Sequence, residues 1–121
     1  MKIDAINTIQ KNWFIISIIT FTSITVLSLV QPEELADAPG SDKTHHFISY
    51  AVLAFPASLR RPSGWKYLIL FFAFYSGLIE AIQPYVNRQG EWLDFIANIS
   101  GLLLGSILAL WARELTAKIS D

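Results

Sequence analysis

Four stretches of this chain run with almost no charge for close to the length a helix needs to cross a bilayer, and this limits the possible folds more than any other feature. Trp13 to Val30 is uncharged throughout, about 18 residues against the roughly 20 that span a hydrocarbon core. Thr44 to Leu59 forms a second such run, Tyr67 to Ile79 a third that resumes past Glu80 to Pro84, and Phe95 to Ala112 a fourth. Breakers separate them: Pro32, Pro39 and Gly40; then Arg60, Arg61, Pro62 and Gly64; then Pro84, Asn87 and Gly90. Lipid has no water to satisfy exposed backbone groups, so a spanning segment of this kind must be helical. The expected fold is therefore all-α, a membrane-embedded antiparallel four-helix bundle, with helices near residues 12–30, 43–59, 66–84 and 94–112.

Composition agrees. The chain has 121 residues, room for a single domain over 1–121, and is 53% hydrophobic with 16% charged residues. A soluble domain carries about 25% charged residues, and one this small needs much polar surface. The net charge of −1 says nothing about nucleic acid, but no long basic run exists to follow a phosphate backbone, and no nucleic-acid partner is expected. Without cysteine there is no disulfide, thiol nucleophile or cysteine-based zinc site. His46 and the carboxylates are the only side chains that could ligate a hard metal, and the reading assigns no metal and no cofactor.

Lys2 and Lys11, an apolar run and Ala36-Asp37-Ala38 imitate a signal peptide with its cleavage site. The apolar run is longer than the usual signal core and Pro39 would follow the cut, so the first helix is expected to stay. Orientation follows from basic residues in short loops. Lys2, Lys11, Arg60, Arg61, Lys66, Arg113 and Lys118 fall on one side and only Lys43 and Arg88 on the other. Both termini are thus expected in the cytoplasm, with the chain in a bacterial inner membrane.

Three helices carry unusual polar residues toward their outer ends. Asp42, His46 and Tyr50 recur every fourth residue on one helical face, Glu80 and Gln83 share another, and Asp94 and Asn98 a third. His46, Glu80 and Asn98 each lie about 6 Å inside the outer end of their helix, which suggests one shared site. Most of these have ordinary explanations. Asp42 and Asp94 can cap helices, Tyr50 can be a packing aromatic, and Asn98 can be interhelical glue. Gly101 and Gly105, four apart, suit close approach to a neighbouring helix. Glu80 is different, because an ionised carboxylate inside an apolar segment is costly, by about 2.5–3.5 kcal/mol at mid-membrane. It also sits near a helix C-terminus, where the dipole repels negative charge.

These residues resemble the motifs of the VanZ-like family, small multi-pass membrane proteins named for a member associated with teicoplanin resistance. Asp42-Lys43-x-x-His46-Phe47-x-x-Tyr50 is similar to the family's first motif and Ile79-Glu80-x-x-Gln83 to its second. Arg88 and Asp94-x-x-x-Asn98-x-x-Gly101-x-x-x-Gly105 are similar to its third. Many relatives have Pro-Gly before the arginine, where this chain has Val86-Asn87. The resemblance implies a cell-envelope role linked to glycopeptide tolerance, with no settled activity. The expected function is engagement of an envelope lipid or a lipid-linked cell-wall intermediate at the outer face. Lys43 and Arg88 would attract its anionic group, and His46 and Glu80 would be the acid/base pair if chemistry occurs. Asp42 would orient the His46 ring, while Tyr50, Gln83, Asp94 and Asn98 would complete the substrate-binding set. The alternative is a non-enzymatic structural or partner-binding protein whose polar cluster locks the bundle.

Overall fold

The computed structural model describes residues 2–29, 42–86 and 92–120. Their regular structure is all helical: α1 (Lys2–Lys11), α2 (Trp13–Leu29), α3 (Asp42–Arg60), α4 (Trp65–Ile82) with a short 3-10 turn after it (Gln83–Val86), and α5 (Trp92–Ser120). The helix α1 lies ahead of the first helix expected from the sequence. It meets α2 at 71°, and backbone bonding continues through the bend, with Asn12 N–H donating to Thr8 (3.1 Å) and Ile16 N–H to Asn12 (3.0 Å). At the other end of the chain, α5 continues past the expected limit near residue 112 to Ser120.

Two helical stretches are long and apolar enough to cross a membrane: Trp65–Tyr85, which is α4 and part of its 3-10 turn, and Trp92–Lys118 in α5. The bent pair α1–α2 makes a third if it counts as one span. The α3 helix is not among them, because its 19 residues include Asp42, Lys43, His45, His46 and Arg60. It is nevertheless the element most enclosed by the others. Tyr50, Leu53, Ala54, Ala57 and Leu59 are all buried, and α3 packs chiefly on α5, then on α2. Large apolar side chains such as Phe14, Ile19, Phe74, Leu103 and Ile107 are exposed on the surrounding helices, a surface suited to lipid rather than water.

Interhelical contacts define the helix directions. Phe21 stacks on Phe71, and Thr25 shares a hydrogen bond with Tyr75 further along, so α2 and α4 run the same way. His46 meets Asn98 at the start of α3 and α5, and Leu59 meets Arg113 toward their ends, so these two are also parallel. Gln10, just before α2, bonds Leu59 at the end of α3, which sets α2 antiparallel to α3. The ends of α2 and α4 and the starts of α3 and α5 therefore gather at one end of the molecule.

Small residues allow α3 and α5 to come together. A Cβ on Gly101 would collide with the Phe47 carbonyl oxygen, and one on Gly105 with that of Ala51. Ala109 and Leu102 are buried in the same helix, and Ser58 Oγ donates to Ser106 Oγ at 3.1 Å. The hydroxyl-rich α2 also turns polar groups inward, burying Ser17 and Ser28. Such close backbone approach is how helices gain packing energy when lipid removes the hydrophobic drive between them.

At the end of α3 remote from His46, the Leu59 carbonyl accepts two side-chain hydrogen bonds, from Gln10 Nε2 at 3.0 Å and Arg113 Nη1 at 2.6 Å. Carbonyls of a helix's last turn have no partner within the helix, and here the partners come from α1 and α5. The chain then turns through Arg61, with φ 55°, and Gly64, with φ 77°. The Arg61 guanidinium lies 5.6 Å from the Trp65 ring centroid and the Lys66 ammonium 5.9 Å. Basic and aromatic groups thus collect at this end.

Candidate functional site

The opposite end holds the polar cluster, built by α3, α4 and α5. His46, one turn into α3, is buried, and its Nδ1 lies 2.9 Å from Asn98 Oδ1. An amide oxygen only accepts, so Nδ1 carries the proton and donates. The Nε2 atom of His46 then faces Asp94 Oδ2 at 3.8 Å, while Asp94 Oδ1 faces Lys43 Nζ at 3.6 Å. Asp94 is third in α5 and almost fully buried, more deeply than a capping role requires. Lys43 is 44% exposed and stands at the rim.

Glu80 approaches from α4. His46, Glu80 and Asp94 each present a ligand-type atom within 4.8 Å of the other two. The equal depth of His46, Glu80 and Asn98 expected from helical rise thus corresponds to side chains gathered in one place, with Asp94 among them. Tyr50, one turn below His46, is buried in the main apolar core with Leu53 and Phe72, and its hydroxyl is within electrostatic reach of Glu80. Gln83, in the turn after α4, donates from Nε2 to the Ser28 carbonyl at 3.1 Å and so ties α4 to α2. The acceptor is a backbone carbonyl, which every residue carries, so nothing in the sequence signals that link.

Three fully buried side chains in this region keep a polar atom without a hydrogen-bond partner among the described residues: Tyr50 Oη, Gln83 Oε1 and Asn98 Nδ2. Buried polar groups are nearly always satisfied, by protein or by ordered water. A donor, an acceptor and a hydroxyl left over at one end of a bundle suit a molecule or ion that completes them. Arg88 and the side chain of Asp42 lie outside the described residues, so their expected parts in the cluster find no geometry here.

A family model described as VanZ/LLP1 matches residues 3–113, which takes in every residue of the cluster, α2, and all but the first residue of α1. No curated protein and no solved structure matches the chain.

Proposed function

The chain belongs to the VanZ/LLP1 family, and from that membership and its membrane-spanning helices we propose that it is a multi-pass protein of the bacterial cytoplasmic membrane whose polar cluster engages an anionic envelope-lipid or lipid-linked headgroup. In this reading α2 to α5 form an antiparallel four-helix bundle in one domain. Both termini are cytoplasmic, and the cluster faces the outer leaflet. The observation that carries the reading is the trio of buried polar atoms, on Tyr50, Gln83 and Asn98, that have no hydrogen-bond partner among the described residues. Lys43 at the rim supplies the positive charge that draws a phosphate or carboxylate inward, and Arg88 supplements it. His46 and Glu80 act on the bound headgroup, by moving a proton or by holding a cation. The family's link to glycopeptide tolerance fits a protein that handles cell-wall precursors.

The competing reading, a structural lock, draws on the His46–Asn98 bond and the Lys43–Asp94 pair. A lock satisfies its own polar groups, and the leftover atoms weigh against it. Native mass spectrometry of the protein released from detergent separates the two. Phosphatidylglycerol is expected to remain bound in preference to phosphatidylcholine. Lys43→Ala should weaken that binding roughly fivefold, equivalent to about 1 kcal/mol for one lysine near an anionic surface. Equal retention of both lipids would sink the headgroup reading.

Topology is tested separately. Reporter domains fused after Asp121 or within 62–64 should be active only as cytoplasmic reporters, and those inserted near Gly40 or Gly90 only as external ones. An external C-terminus would turn the polar cluster toward the cytoplasm and remove the outer leaflet from the proposal.

A further inference from the structure

We propose that His46, Glu80 and Asp94 form a divalent-metal site suited to zinc. One ligand comes from each of α3, α4 and α5, and their ligand atoms lie within 4.8 Å of one another. Zinc takes imidazole nitrogen at about 2.0–2.1 Å and carboxylate oxygen at about 2.0–2.2 Å, which puts neighbouring ligands of a tetrahedral ion about 3.4 Å apart. Small side-chain rotations close the difference.

The histidine is already prepared. Its Nδ1 proton is committed to Asn98 Oδ1 at 2.9 Å, so in the neutral ring the lone pair sits on Nε2. That nitrogen faces Asp94 Oδ2 at 3.8 Å, too far for a proton to bridge as a hydrogen bond, since such bonds end near 3.2 Å. The separation suits two ligands on either side of one ion. An outer partner fixing the tautomer and ring of a metal-binding histidine is a regular feature of zinc sites, and Asn98 fills that place.

The charges fit as well. The two carboxylates of Glu80 and Asp94 converge from different helices in an apolar setting, and a divalent cation neutralises both. Lys43 stays on Asp94 Oδ1, while Oδ2 is the oxygen that faces His46. A second observation points to something bound here, independent of the ligand cluster: Asn98 Nδ2 and Tyr50 Oη are buried without partners among the described residues, one on the amide that holds His46 and the other near Glu80. Three protein ligands leave a tetrahedral ion one open position, the pattern of sites that admit water or substrate. An oxygen of an anionic headgroup or a water would fill it. Only this last point rests on the headgroup reading.

The test uses the full-length protein, purified in mild detergent on an affinity tag free of histidine. Elemental analysis should find about one zinc per chain. Chelation should lower the thermal midpoint, and added zinc, but not magnesium or calcium, should restore it. His46→Gln, Glu80→Gln and Asp94→Asn should each abolish stoichiometric zinc, while His45→Ala retains it. Should the ligand variants fail to fold, Asn98→Ser supplies the second measurement, with a loss of about 10- to 100-fold in zinc affinity. A wild-type protein free of zinc, with a melt indifferent to chelator and to zinc, would overturn the proposal. Retention of zinc by folded Glu80→Gln and Asp94→Asn would do the same. Zinc binding without any preference for anionic lipid would leave this site standing and remove the headgroup reading.

Discussion

Alanine at Gly101 or Gly105 is expected to strip the protein of most of its stability, whereas alanine at Gly77 is expected to be mild. At the first two positions the added methyl meets a backbone carbonyl, that of Phe47 or Ala51. A carbonyl cannot rotate away without breaking the α3 helix, so α5 must shift as a whole. Overpacking in well-packed interiors costs about 1–3 kcal/mol and occasionally more, and a clash between two main chains belongs at the top of that range. At Gly77 the new methyl would stand 3.2 Å from the edge of the Phe95 ring, and that side chain can turn. The measurement is the thermal midpoint in detergent, beside protein abundance in membranes, for the three single variants. Equal effects at all three glycines would mean that the close approach of α3 and α5 is not what holds the molecule together. A shift of α5 also draws Asn98 from His46, so these variants should lose any activity of the site along with stability.

Glu80→Gln is expected to do the reverse, leaving a folded protein that no longer works. Glutamine keeps the length and shape of glutamate but has no charge. Removing a carboxylate from an apolar segment also removes its desolvation penalty, so the thermal midpoint should fall by no more than the wild type loses to chelator. Lys43 reaches the rim and can keep its charge in water, which limits the loss from the broken balance. A residue that holds a ligand or a cation through its charge has no substitute in the neutral amide. The comparison is abundance and thermal midpoint against a complementation assay under envelope stress, where at least about a tenfold loss is expected, equivalent to 1.4 kcal/mol. Normal abundance with full complementation would end the functional assignment of Glu80. Collapse of abundance would favour the lock.

Much of this was legible in the sequence because membrane helices announce themselves by the absence of charge. The runs beginning at Trp13, Tyr67 and Phe95 fall for most of their length on α2, α4 and α5. The depth argument from 1.5 Å per residue anticipated that His46, Glu80 and Asn98 would come near one another, and the glycine spacing anticipated a tight helix contact. Which helix lies at the centre was not legible. The α3 helix has the most polar start, and its burial depends on Gly101 and Gly105, which sit some fifty residues away in another helix. The pairings inside the cluster were hidden for a similar reason: Asp94 reads as an N-terminal cap from its position, and only packing turns it toward His46. The α1 helix escaped because ten residues with Lys2, Asp4 and Lys11 carry no long apolar run, and its support comes from contact with α3 and α5.

The doubly bonded carbonyl of Leu59 has a consequence in time. Gln10 precedes it by 49 residues and Arg113 follows it by 54. Synthesis at about 5–20 residues per second puts roughly 3 to 11 seconds between the appearance of that carbonyl and the arrival of the arginine that completes it. During the interval that carbonyl has the glutamine but not yet the arginine. A chain interrupted before its last helix keeps that half-made junction, with the small-residue face of α3 bare beside it.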